Sequence, residues 1–182
     1  MDPRTFIPPK QLSLAPIPAI GDPAPDAPPL GQVDGPTVVA FIRHVGCPFA
    51  ESTVRELTRV AEQRPHIRWI VVSHASLEAT DRWCSAVGAS RRLELVIDEG
   101  RELYAAWGLG RSSLAHFAGP RSLASVVRAH RRGIGHRHPV GTRWQQAGTF
   151  AVDSHGAICW RHIPHHAGDL PDFDAAVAVV ES

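Results

Sequence analysis

The stretch T-V-V-A-F-I-R-H-V-G-C-P-F-A, Thr37 to Ala50, decides how this chain folds. Thr37 to His44 is continuous, β-branched and apolar, the pattern of a strand buried on both faces and central in a sheet. Gly46 and Cys47 end the run. Pro48 then sits where a first helical residue belongs, since the N–H it lacks is one that a helix start leaves unpaired anyway. Val54, Leu57, Val60 and Ala61 recur at helical spacing until the breaker Pro65. The stretch reads as strand, tight turn and helix, with a cysteine at the joint.

Outward from there, Ile67 to Ser73 predicts a second strand, Leu77 to Val87 a second helix and Leu93 to Asp98 a third strand. Strands alternating with helices imply parallel βαβ crossovers. A short helix is expected over Glu102 to Gly108. A basic insertion follows at about residues 108–143, within which Leu123 to Arg132 has the pattern of one amphipathic helix ending at Gly133. G-T-F-A-V-D and A-I-C-W-R-H-I, separated by S-H-G, predict an antiparallel hairpin, and Asp172 to Val180 a closing helix. Residues 1–36 are too rich in proline for regular helix and predict an extended arm wrapping a domain of residues 37–182.

The 182 residues carry 19 basic and 18 acidic side chains, a net charge of +1, so no global attraction to nucleic acid or a membrane surface is implied. The N-terminus is interrupted by prolines and does not read as a secretory signal, and no apolar run is long enough to span a bilayer. A cytoplasmic protein is the expectation. Cys47, Cys84 and Cys159 are an odd, scattered set, unlike a secreted disulfide framework or a C-x-x-C zinc site. Neither metal nor cofactor is expected. In H-I-P-H-H, His162 to His166, Pro164 breaks the ligand geometry and no carboxylate stands at a familiar spacing, so a solvated loop is the reading, with Asp169 as loop or helix-entry chemistry.

Cys47 is the candidate nucleophile. A thiolate at a helix N-terminus meets unpaired N–H groups and the positive end of the helix dipole, and a neighbouring Arg or protonated His lowers its pKa further. Arg43 and His44 are the candidates in reach. Alternation along a strand sends adjacent side chains to opposite faces, which favours His44 alone. Cys84 and Cys159 fall in segments patterned for burial, where cysteine behaves as an inert small hydrophobe, and neither is expected to pair with Cys47.

Several motifs together resemble one family. G-D-P-A-P-D resembles the opening segment of peroxiredoxins, R-H-V-G-C-P-F resembles the R-H-x-G-C-x-x-C turn of the peroxiredoxin-like 2 branch of the AhpC/TSA superfamily, and W-Q-Q-A-G-T-F-A-V-D with G-x-x-C-W-R-H resembles that branch's closing hairpin. The resemblance implies a thioredoxin-like (peroxiredoxin-like) three-layer α/β/α sandwich with a mixed central sheet. It implies a thiol-dependent antioxidant oxidoreductase acting on a small-molecule peroxide or other small electrophile through Cys47. It also implies an external thiol reductant such as glutathione or thioredoxin, and a possible homodimer.

The departures are as specific as the matches. Ala40 and His44 replace the proline and threonine of P-x-x-x-T-x-x-C, Ala147 stands for the arginine of R-G-T-F, Gly148 for the cis-proline of thioredoxins, and Ala50 for the second cysteine. A redox-silent enzyme of the same fold, an isomerase, dehydratase or cyclase of small-molecule or secondary metabolism, is therefore the alternative reading. Trp144, Gln146 and Thr149 belong to the loop that lies beside the cysteine in this fold and are candidate substrate contacts. So are Arg128 and Arg143 of the insertion, which has no acidic residue between Glu102 and Asp153. Guanidinium groups there would hold a carboxylate or phosphate of the substrate or reductant, while no nucleic-acid-binding pattern accompanies the charge.

Overall fold

The structure, a computed structural model, describes residue 5, residues 7–112, residue 134 and residues 137–182. Its centre is β1 (Thr37–Phe41), whose five residues are all buried. Parallel to it runs β2 (Arg68–Ser73), and parallel to that β3 (Leu93–Ile97). On the other side of β1, β4 (Gly148–Val152) pairs antiparallel, and β5 (Ile158–His162) pairs antiparallel with β4. The mixed sheet therefore has the order β3-β2-β1-β4-β5.

Two right-handed crossovers that step in the same direction must carry their helices over the same face. α1 (Pro48–Gln63) and α2 (Leu77–Val87) accordingly lie together, joined by α4 (Phe173–Val180), over Val38 and Ala40 of β1, Ile42 just past its end, and Trp69 and Val71 of β2. The alternate residues Val39, Phe41, Ile70 and Val72 face the opposite layer, built from α3 (Glu102–Ala106), Trp107, Leu109 and residues of the arm such as Leu30 and Val33. The strand period of two thus divides one apolar run between two cores.

Among the described residues the predicted elements lie where the pattern placed them, with helix ends set by local chemistry. Ser76 accepts from the Ala79 N–H at the start of α2, Gly88 ends it in the left-handed conformation, and Asp172 accepts from the Ala175 N–H at the start of α4. The proline-rich N-terminal segment is tied to the rest of the fold by backbone bonds: Ala15 N–H to Ala105 O (3.0 Å), Gly21 N–H to Ile158 O (2.8 Å) and Ile158 N–H to Asp22 O (2.8 Å). The helix expected over Leu123 to Arg132 lies outside the described residues. No helix among the described residues is long and apolar enough to cross a membrane.

Candidate active site

The turn after β1 is built from beneath. Ile42 N–H still donates to Val72 O at 3.0 Å, and the buried Tyr104 hydroxyl lies 2.7 Å from Ile42 O and 2.9 Å from Val72 O, tying the ends of β1 and β2 together. Beyond Ile42 the backbone leaves strand geometry. Cys47 N–H donates to His44 O (3.3 Å), Gly46 takes φ +82°, and Cys47 enters α1 at φ −75°, ψ 129°, with Glu51 N–H donating to its carbonyl at 2.9 Å. A side chain at Gly46 would be strained at that φ and would meet His138 O at 2.5 Å.

Cys47 is 0 % exposed. Burial pushes its thiol up, but the Arg43 guanidinium, the His44 imidazole charge and hydrogen bond, and the Ala50 amide outweigh it and bring the thiol from 9.0 down to about 6. The His44 ring has its Nδ1 2.8 Å from Val45 O; a carbonyl only accepts, so Nδ1 donates and Nε2 is the other nitrogen available to sulfur. Arg143 joins the same field: burial and Arg43 lower its pKa, and Cys47 pulls it back up. The expectation that only one of Arg43 and His44 reaches Cys47 is corrected here, because both residues lie past the end of β1, where strand alternation no longer governs direction.

A strap seals the turn. Arg137 N–H donates to Gly46 O (3.3 Å), Val140 N–H donates to Val45 O (3.2 Å), and Arg137 Nε lies 3.1 Å from Glu51 Oε2. Glu51 is buried in the first turn of α1 and also accepts from Arg55 at 2.8 Å. The strap then crosses His74, whose Nε2 lies 3.1 Å from the Thr142 N–H and whose ring stands edge-on to Tyr104 at 5.7 Å. Burial, with the charges of His44 and Arg101, lowers His74 to about 3, so it stays neutral.

Beside the turn lies a small cleft of about 30 Å³, room for roughly two waters. Arg43, Ala50, Thr53, Thr149, His162 and Asp169 line it, with Phe49 and Leu170 among the apolar walls. Cys47 is not part of that lining; Arg43 and Ala50 stand at the interface. Of the residues the sequence singled out, the fold brings Arg43, His44, Cys47, Arg143 and Thr149 to this region. Trp144 and Gln146 do not line the cleft: Trp144 stacks with Arg111 at 5.9 Å and Gln146 N–H donates to Gly110 O. Arg128 is outside the described residues. Cys84 on α2 and Cys159 on β5 are free thiols, both raised by burial, Cys84 to about 11.

His162 and Asp169 are cleft residues that sequence reasoning missed: His162 reads as part of a solvated loop and Asp169 as loop or helix-entry chemistry. His162 faces Thr149 directly across β4 and β5, a register set beyond an irregularity at Ala151/Val152. A bulge of this kind shifts every later pairing by one residue and leaves no clear mark in composition. The alternation of A-I-C-W-R-H-I was the only available signal, and it does not say where the bulge falls.

The geometry defines a class: a mixed-sheet α/β/α protein with a thiol of lowered pKa at the N-terminus of the helix that follows the central strand, the arrangement of thioredoxin-like proteins. The family model for the AhpC/TSA antioxidant enzymes matches residues 54–166, more than half of the chain, and the chain belongs to that family. The match begins C-terminal to Cys47. Among solved structures, the chain is similar to a peroxiredoxin-like protein from Aquifex aeolicus (16 % identity, TM-score 0.66, covering 92 % of this chain and 89 % of that one). It is also similar to a thiol peroxidase from Chromobacterium violaceum (15 % identity, TM-score 0.63, 94 % and 91 % covered). A third is a cysteine-to-serine mutant of the peroxiredoxin 6 of Arenicola marina (12 % identity, TM-score 0.63, 90 % and 72 % covered). At these identities the likeness is one of fold. No curated protein matches.

Proposed function

We propose that this protein is a thiol oxidoreductase that reduces a hydroperoxide through Cys47 and is reset by an external thiol. The observation that carries the reading is the thiol itself: fully buried, yet held at about 6 by Arg43 and His44 at the start of α1. At neutral pH it is mostly thiolate, the nucleophilic form. The thiolate attacks the terminal oxygen of R–O–O–H, the O–O bond breaks, and Cys47 becomes a sulfenic acid while the peroxide leaves as an alcohol or water. Two equivalents of an external thiol then return it to the thiol, releasing a disulfide and water. Cys84 and Cys159 are poorly suited to that second step, since burial raises both and disfavours their thiolates.

Arg43 and Arg143 have the charge to stabilise the thiolate and the oxygen that departs, and Thr149 offers a hydroxyl to the peroxide in the cleft. The strap over Gly46 must loosen for a substrate to meet sulfur. The test is brief treatment with hydrogen peroxide followed by dimedone trapping and peptide mass spectrometry. A dimedone adduct on Cys47, and loss of thiol-supported peroxide consumption in Cys47→Ser, are the expected results. No adduct, or a wild-type rate in Cys47→Ser, would leave the redox-silent reading in its place.

A further inference from the structure

The charges gathered around Cys47 do not balance. The strap brings one of them. Its backbone is fixed immediately before and after Arg143: Thr142 N–H meets His74 Nε2 at 3.1 Å, Arg143 N–H donates to Thr5 O at 3.2 Å, and Ser112 N–H donates to Trp144 O at 2.7 Å. From there the Arg143 guanidinium shares the field of Arg43 and Cys47, the first acting to discharge it and the second to keep it charged. Arginine keeps its proton in proteins, so two guanidinium groups face one thiolate. No acidic residue occurs between Glu102 and Asp153, so the strap brings no negative charge of its own.

The neighbouring acids do not redress this. Glu51, buried in the first turn of α1, is shared by Arg55 at 2.8 Å and Arg137 at 3.1 Å, so its one negative charge is answered twice. Asp169, in the cleft beyond Arg43, has Oδ1 3.6 Å from His162 Nε2 and accepts from His165 N–H at Oδ2. His74 stays neutral. Four guanidinium groups, Arg43, Arg55, Arg137 and Arg143, thus accompany two anions, Glu51 and the Cys47 thiolate. An ordinary thiolate repels an approaching anion; this one is outnumbered by cations, and an excess of one sign around a reacting atom selects the charge of what reaches it.

On the reading that Cys47 is the reacting nucleophile, we propose that its substrate is an electrophile bearing a carboxylate, selected by Arg143. Arg143 is the cation carried by the strap, the element that must loosen to admit a substrate, whereas Arg43 belongs to the turn itself. A guanidinium fork matches the two oxygens of a carboxylate and holds them bidentately. As a peroxidase substrate this is an organic hydroperoxide acid. The thiolate bonds to the terminal oxygen, and the O–O bond breaks with its electron pair on the other oxygen, which takes a proton from solvent to give a hydroxy acid. Sulfur is oxidised by two electrons, the peroxide is reduced by two, and the carboxylate is unchanged.

Two pairs of reagents, matched in shape and differing in charge, supply the test. Iodoacetate and iodoacetamide alkylate Cys47 without a redox step; the tertiary hydroperoxide of isovaleric acid and its amide oxidise it. Rates are read at Cys47 in the full chain by peptide mass spectrometry, on the high-pH plateau where ionisation of the thiol no longer enters, with the urea-unfolded chain as the alkylation reference. The iodoacetate-to-iodoacetamide ratio is expected to be about tenfold higher in the folded wild type than in the unfolded chain, the low end of what a site lined by one sign of charge produces, and to shrink in high salt. The hydroperoxide acid is expected to outrun its amide. Arg143→Gln should abolish both preferences, and Arg143→Lys, which keeps the charge, should retain most of each. A folded ratio equal to the unfolded one, hydroperoxides reduced at equal rates, an unchanged preference in Arg143→Gln, or an equal loss in both variants would overturn the proposal. A wild type that prefers iodoacetate but reduces neither hydroperoxide would end the peroxidase reading and leave the selection of anions at Cys47 standing.

Discussion

Removing the two cations beside Cys47 should move its titration far more than its rate at neutral pH. With burial raising the thiol and Arg43, His44 and the Ala50 amide lowering it to about 6 from 9.0, Arg43→Gln combined with His44→Gln leaves burial, the largest influence, opposed by the Ala50 amide, the smallest, and returns the thiol to 9 or above. The difference of about three units corresponds to roughly 4 kcal/mol of preferential stabilisation of the thiolate. At pH 7 the wild type holds about ten thiolates per thiol, and the double variant at most about one per hundred, a loss of about 90-fold. The more basic thiolate is intrinsically more nucleophilic, however, and a Brønsted slope of about 0.4–0.5 over three units gives back roughly 15- to 30-fold. The net change at pH 7 is only about three- to sixfold. The informative assay is therefore the complete pH profile of iodoacetamide alkylation, with a midpoint near 6 in the wild type, at 9 or above in the double variant, and between them in each single variant. A wild-type midpoint near 9, or a double variant that still titrates near 6, would refute the electrostatic account.

The same shift predicts a stability signature. A thiol whose folded pKa lies below its unfolded value contributes stability that is fully present above pH 9 and lost as pH falls through 6, so wild type should gain on the order of 4 kcal/mol over that window relative to Cys47→Ala, read by urea unfolding at both ends; parallel curves would contradict it. His74 acts in the acid range. Because folding lowers it from 6.5 to about 3, the unfolded chain takes up a proton that the folded one refuses, and stability should fall by on the order of 5 kcal/mol from pH 6.5 to 3; His74→Gln should flatten that slope, and an unchanged slope would assign acid lability elsewhere. Loss of the Arg137 bond to buried Glu51 in Arg137→Gln should loosen the strap by about 1–1.5 kcal/mol and speed Cys47 alkylation on its high-pH plateau about tenfold, whereas an unchanged plateau would show that the strap does not limit access.

The local reading of Thr37 to Ala50 survived because each of its signals is local. A buried central strand needs unbroken apolar β-branched residues, a left-handed turn needs Gly46, and a helix start accepts Pro48 at no hydrogen-bonding cost. The βαβ order followed from periodicity, and with it the side of the sheet that α1 and α2 cover, since handedness leaves one choice. The family resemblance rested on the same short motifs.

The site was legible only in part. That Cys47 begins a helix could be read from the sequence; that two cations rather than one reach it could not, because the backbone leaves the strand at Phe41 and alternation stops applying. Glu51 has no mark in the sequence beyond its place in the first turn of α1, yet Arg137, 86 residues away, turns it into the buried anchor of the strap. His162 and Asp169 looked like loop residues, until the irregular pairing of β4 and β5 set His162 opposite Thr149 and a return of the chain brought Asp169 to its Nε2. Sequence by itself determined the elements and the thiol at their joint, because hydrogen bonding within four residues and a repeating apolar period specify them. Which groups share the electric field and the cleft around that thiol was decided only by tertiary packing, since Coulomb interactions and cavity walls depend on distance in space and are indifferent to separation along the chain.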